Sequence, residues 1–236
     1  MALTVIYTVL NNTPQGVMIR KMTLPKSVGT VACTVLLSTA SHAYAESNSK
    51  MHYFDSVALF AGQGVHHNLQ DMPKRIVAGN LDWGNSYLNE IGFRRNLEVS
   101  QSGMPIFRDT PLSKISHGYE LLLAQHHGLQ DNVEIGMAYA LKTPDLWLGS
   151  MGTNFSSGVG LSYAFGTPNF EDGATSDPQK RYHLQMLLLL DLEWKLKEIS
   201  DWSLVTRLHH RSGVYGLIAP RHVGSNFLAV SIRYSL

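Results

Sequence analysis

Cysteine is nearly missing from this chain: Cys33 is the only one among 236 residues, so no disulfide can form within it. Also missing is any run of the roughly 20 apolar residues that a membrane-spanning helix needs; the stretch Val28 to Ala40, mostly apolar or small, is too short. An excess of one charge is absent too, with 19 Lys and Arg against 18 Asp and Glu. Nucleic acid is bound by clustered Lys and Arg, so a nucleic-acid partner is not expected. A zinc site would need a Cys, His or carboxylate cluster. The three tandem pairs His66-His67, His126-His127 and His209-His210 do not supply one, because adjacent strand residues point to opposite faces. No metal and no cofactor is expected.

What is present at the N-terminus reads as a targeting segment. Arg20, Lys21 and Lys26 form a basic region, the apolar stretch follows, and Ala43-Tyr44-Ala45 matches an A-x-A cleavage site before Glu46. Residues 1–45 are therefore expected to be an export signal peptide and 46–236 the mature domain. The first 17 residues add nothing to this pattern, which leaves Met18 and Met22 as alternative starts. Three basic and no acidic residues fall in 1–45, so the mature domain carries a net charge of −2 and no cysteine. The Thr-Val-Ala before Cys33 is a poor lipidation box.

The mature domain is dominated by alternation at period two, the signature of strands with two unlike faces. In Arg181–Leu196 every even position from Tyr182 is apolar, while the odd ones carry Arg181, His183, Gln185, Asp191, Glu193 and Lys195, interrupted by Leu187 and Leu189. A helical wheel would scatter that pattern around the axis. Val133–Leu141, Val159–Phe165, Tyr119–Ala124, Trp202–Ser212 and Leu228–Leu236 alternate likewise, and Tyr53–Val65, Arg75–Trp83 and Tyr87–Val99 do so more weakly. Large apolar residues on one face and small or polar ones on the other suit a transmembrane barrel with a polar lumen. Trp83, Tyr119, Tyr182, Trp194, Trp202 and Tyr234, near segment ends, suit interfacial girdles. A closed bacterial barrel takes an even number of strands. The expectation is an all-β antiparallel transmembrane barrel of eight strands, one weak early segment dropping to loop. A secreted soluble sandwich or lipocalin-like barrel is the alternative.

Several charged and glycine positions fit the lumen. Asp191 and Glu193 are expected to line it with Lys195 and Arg181; Arg94-Arg95 is either a lumen or loop charge or a contact to lipopolysaccharide phosphates. Gly158 and Gly160 are expected to relieve crowding inside the barrel.

The chemistry-bearing residues lie at the C-terminal end. His210 and Ser212 share the apolar parity of Trp202, Leu204 and Leu208, so a base and a nucleophile would stand together on the lipid-facing wall. Their Cβ atoms would lie about 7 Å apart, given the strand rise, within reach of a side-chain hydrogen bond. Serine needs such a base, and the base needs a third group to orient it. The alternative is that both are merely interfacial polar residues. Asn226 has the parity of Leu228 and Val230 and should face outward with His210, whereas Ser225 should point in.

Leu208-His209-His210-Arg211-Ser212-Gly213, the glycine-rich loop that follows, and a last strand ending Ile232-Arg233-Tyr234 resemble the C-terminal end of the lipid A 3-O-deacylase (PagL) family. The resemblance covers about 30 residues. It implies an eight-stranded outer-membrane barrel of a Gram-negative cell that removes a 3-linked hydroxyacyl chain from lipid A, with Ser212 as nucleophile and His210 as base. The family places a Glu at the start of its final strand, but no carboxylate lies between Ser212 and Leu236; Asn226 is the available orienter, as in Cys-His-Asn enzymes. The family's oxyanion Asn is Gly213 here, whose backbone N–H would have to serve. The resemblance also implies lipopolysaccharide as partner, and the terminal strand resembles the signal read by barrel-assembly machinery, ending in Leu where Phe is usual. A non-catalytic outer-membrane barrel with a structural or lipid-binding role is the competing reading. Nothing in the sequence sets an oligomeric state.

Overall fold

The computed structural model describes residues 53–97, 115–171, 182–219 and 223–236. The leader, Cys33, Val99 and Arg181 lie outside the described residues. Nine antiparallel strands follow in order: β1 (Ser56–Val65), β2 (Trp83–Leu97), β3 (Ser116–Gly128), β4 (Asp131–Lys142), β5 (Leu146–Leu148), β6 (Met151–Thr167), β7 (Leu184–Leu196), β8 (Trp202–Ser212) and β9 (Gly224–Ser235). Eight of them close a barrel. β1 pairs with β9, β4 pairs directly with β6, and β5 is a short hairpin arm on β6.

Closure leaves the eight barrel strands without a free edge, and the alternating sequence then decides which face is which. Glu90, Glu120, Glu134, Asp191, Arg207 and Arg211 are sealed inside, while Ile135, Met137, Leu161, Leu204 and Ile232 are exposed on the outer wall. Water would leave that band as an apolar patch far larger than soluble monomers tolerate, so the barrel is a transmembrane one. No helix among the described residues is long and apolar enough to cross a membrane, and the crossing is made by strands. An arginine at Met137 would face lipid on β4. Met137→Arg is expected to cost about 2–4 kcal/mol in urea unfolding from lipid vesicles; an unchanged midpoint would mean that this face meets water.

The weak segment that drops out is Arg75–Trp83. Its place is taken by a helix, α1 (Met72–Ala78), which has Pro73 in its first turn and ends at Gly79 in the left-handed conformation, φ 65°. Proline there lacks only an N–H that the helix leaves unpaired, and glycine accepts positive φ without strain. Both features stop the segment from continuing as a strand.

The lumen holds both apolar and charged layers. An apolar slab of Leu88, Leu122, Leu187, Leu189 and Phe227 accounts for the two leucines that interrupt the polar parity of β7. Beside it is a charged layer centred on Arg207. That guanidinium grips Asp191 with two bonds of 2.7 Å, meets Glu120 at 2.6 Å, also binds Glu90, and lies 3.9 Å over the Phe60 ring. Arg94 bonds Glu120, Ser156 and Asp191, and Arg233 bonds Asp191 at 3.1 Å. Glu193 is bound by Lys142 at 2.9 Å and by Ser203. Asp191 and Glu193 are thus lumen residues, but their partners differ from those expected: Lys195 turns to Asp145 at 3.0 Å. Arg95 pairs with Asp55 at 3.2 Å. A Cβ on Gly160 would lie 1.8 Å from the Met137 carbonyl oxygen, so that glycine permits close approach of two backbones rather than only easing side-chain crowding.

Candidate active site

β8 and β9 carry the site at the barrel end away from the chain's C-terminus. Strand alternation sends Arg207, His209 and Arg211 into the lumen and His210 and Ser212 onto the outer wall. In the β8–β9 register His210 stands directly opposite Asn226. Their side chains meet, with His210 Nδ1 and Asn226 Oδ1 2.8 Å apart. Asn226 Nδ2 donates to the backbone carbonyl of His67 at 2.7 Å.

This chain of contacts fixes the imidazole tautomer. A carbonyl can only accept, so the Asn226 atom facing His67 must be the NH2 group. The amide oxygen is then turned to His210, and Nδ1 must carry the proton. Nε2 is left as the basic atom of the neutral ring. His210 and Asn226 are only 9% and 6% exposed although they face outward, because the connection between β1 and β2 folds back over them. Gln70 of that connection donates to the Tyr215 hydroxyl at 3.1 Å, tying it to the β8–β9 loop.

Ser212 is half-buried on the same face. It lines a cavity of about 520 Å³ with His210, Asn226, Met186 and the His67–Gln70 segment. No hydrogen bond joins Ser212 to His210 among the described residues, and catalytic contacts of this kind commonly tighten only when substrate binds.

Gly213 follows Ser212. A Cβ there would sit 2.3 Å from the Ala219 carbonyl oxygen, so no side chain fits where the resembled family carries Asn. The Gly213 N–H donates to the Val223 carbonyl at 3.2 Å, and its own carbonyl accepts from Gly216, Ile218 and Ala219. The next two residues are Val214 and Tyr215, with φ of 52° and 53°. Left-handed backbone at a β-branched residue is an outlier that costs about 1–3 kcal/mol and persists only where its surroundings impose it. Successive amides in such a bend converge into an anion-binding notch. Among the described residues the Val214 and Tyr215 amides have no backbone acceptor. Neither Val nor Tyr advertises positive φ, so this bend is not legible in the residues that form it.

The lumen side of the same strand pair is braced by a residue that sequence reading also missed. Glu171, from a 3₁₀ turn at Asn169–Glu171, binds Arg211 and Gln185 and accepts from Ser225 Oγ at 3.1 Å. It lies on the opposite face from His210 and cannot orient it. Ser225 points in and Asn226 out, as their parity requires. The tandem pairs His126-His127 and His209-His210, which lie on strands, divide between faces for the same reason, whereas His66-His67 lie past the end of β1. His126 meets Glu134 at 2.8 Å in the lumen while His127 stacks on Tyr87, and His209 meets Glu90 at 2.8 Å while His210 faces out.

No family model and no curated protein matches this sequence. Among solved structures, the chain is similar to the outer membrane enzyme PagL, at 12% identity over 77% of this chain and 99% of that one, with a TM-score of 0.49. It is similar to Neisserial surface protein A (NspA), at 9% identity over 78% and 97%, with a TM-score of 0.45. It is also similar to LpxR from Salmonella typhimurium, at 10% identity over 80% and 70%, with a TM-score of 0.31.

Proposed function

We propose that this chain is an outer-membrane serine esterase that removes a 3-linked acyl chain from lipid A. One observation carries the reading: a histidine oriented by Asn226 and, through it, by the His67 carbonyl stands two residues from a serine on the lipid-facing wall. A buried histidine and a half-buried serine interrupt an otherwise largely apolar outer face.

In the proposed reaction His210 Nε2 takes the proton from Ser212 Oγ as the oxygen attacks the acyl carbonyl. The notch formed by the Gly213, Val214 and Tyr215 amides receives the oxyanion. The Gly213 amide must exchange the Val223 carbonyl for the substrate oxygen, whereas its two neighbours start without a described acceptor. Collapse of the intermediate breaks the ester bond, and His210 returns the proton to the departing sugar oxygen. Water, deprotonated by His210, then releases the fatty acid from Ser212. No cofactor takes part. The protein would reach its membrane through the 1–45 leader and the barrel-assembly machinery.

Asn226 orients His210 without supplying a charge to stabilise the imidazolium, which implies a slow enzyme. Asn226→Leu frees the ring to adopt the wrong tautomer, and is expected to lower fatty-acid release from lipid A micelles by a factor on the order of 10², with KM little changed. Equal rates for Asn226→Leu and wild type would remove Asn226 from the mechanism. The missing carboxylate favours a second reading, a non-catalytic lipid-binding barrel, for which neither protein would release any fatty acid.

A further inference from the structure

The site continues downward into an apolar groove. α1 lies over the outside of the barrel: Met72 is fully buried, and Met72, Pro73 and Ile76 face the outer wall of β8 and β9 across a shared cavity. Between the helix and the wall lies a cavity of about 910 Å³. The helix side presents Leu69, Met72, Pro73 and Ile76; the wall side presents Leu190, Thr206, Leu208 and Leu228. Leu69 also lines the cavity at Ser212, so the two spaces adjoin.

Exposure along the wall traces the helix's shadow. On β8, Leu204 is 51% exposed, Thr206 and Leu208 are half-buried, and His210 is buried. These four side chains form one outward column. From His210 to Thr206 the column drops about 13 Å, enough for an extended chain of roughly ten carbons. The groove opens on the membrane side, where the surrounding medium is itself acyl chain.

We infer that this groove seats the acyl chain whose ester lies at Ser212, with Ile76 of α1 as its outer wall and Thr206 near its deep end, so that α1 sets which chain lengths are accepted. The inference rests on the esterase reading and names where the scissile chain lies. Its occupant is a single acyl chain of a lipid from the same leaflet. Ile76 lies on the groove face of α1, while Val77, one residue on, points away and is 90% exposed.

That contrast supplies the test. Ser212→Ala protein, checked for the folded barrel by circular dichroism, is incubated with lipid A in detergent and examined by native mass spectrometry, so that binding is read without catalysis. One lipid A is expected to stay bound. Adding Ile76→Trp should fill the groove and cut retention at least tenfold, whereas adding Val77→Trp should leave it unchanged. In the catalytically intact chain, Thr206→Trp should shift released fatty acids toward shorter chains. Equal retention by the two tryptophan variants, or no retained lipid in Ser212→Ala alone, overturns the groove assignment. Failure of the esterase reading alone is distinguishable: retention would still depend on Ile76, but no chain would release any fatty acid.

Discussion

Ser212→Ala and His210→Ala should each lower acyl release from lipid A by about 10³-fold or more, and the double variant should be no worse than the weaker single one. The two side chains act as one unit. Without His210 the Ser212 hydroxyl keeps its proton and is a poor nucleophile. Without Ser212 the base has no oxygen to activate, and only the notch and the groove continue to favour the transition state. Losses that multiplied in the double variant would mean that the residues act separately. The variants are expected to fold as wild type does, because His210 and Ser212 face outward and take no part in the lumen's charge network. Ser212→Ala should keep the wild-type unfolding midpoint in urea. His210→Ala, which leaves the buried Asn226 Oδ1 unpaired, should lose no more than about 1–3 kcal/mol with the barrel still folded, which separates loss of chemistry from loss of structure.

Arg207→Leu is expected to have the largest effect on stability. Arg207 is the common partner of Glu90, Glu120 and Asp191, all sealed in the lumen. Arg94, Arg207, Arg233 and Lys142 together balance Glu90, Glu120, Asp191 and Glu193 in this layer. Removing one member of a buried ion network leaves an uncompensated charge in a low dielectric, which costs about 3–5 kcal/mol, and here three carboxylates lose a partner at once. Changing Glu90 and Glu120 to glutamine in the same chain should recover part of the loss, since neutral amides need no counter-charge. Lys195→Ala breaks only the partly exposed pair with Asp145 and should cost no more than about 1 kcal/mol. Similar midpoints for Arg207→Leu and Lys195→Ala, measured by urea unfolding in lipid vesicles, would contradict the view that the lumen network holds the barrel together.

Much of the barrel was legible because strand alternation is a local property. The parity of β4, β6, β7, β8 and β9 could be read residue by residue, and it correctly placed Asn226 with His210 and Ser225 on the inside. The leucines at 187 and 189, which interrupt the polar parity of β7, belong to the lumen's apolar slab. What could not be read was pairing across the lumen. Arg207 and Glu90 are 117 positions apart, and no local pattern says that Lys195 prefers Asp145 to Asp191.

α1 carried readable signals in Pro73 and Gly79, but a seven-residue helix is too short for its apolar period to outweigh the weak alternation of Arg75–Trp83. The bend at Val214 and Tyr215 was hidden because their side chains disfavour the very conformation they adopt. The site itself was half legible. His210, Ser212 and Asn226 could be placed on one face, while the His67 carbonyl that orients Asn226 arrives from a connection 159 positions away.

The central claim is that Ser212 and His210 cleave an acyl ester of lipid A at the outer wall of the barrel. Mass spectrometry of lipid A from Gram-negative cells producing the wild-type chain or Ser212→Ala tests it most directly, with both proteins shown to be folded in the outer membrane. The account predicts loss of one 3-hydroxyacyl chain with the wild type and intact lipid A with Ser212→Ala. Intact lipid A with both, or equal loss with both, would contradict it.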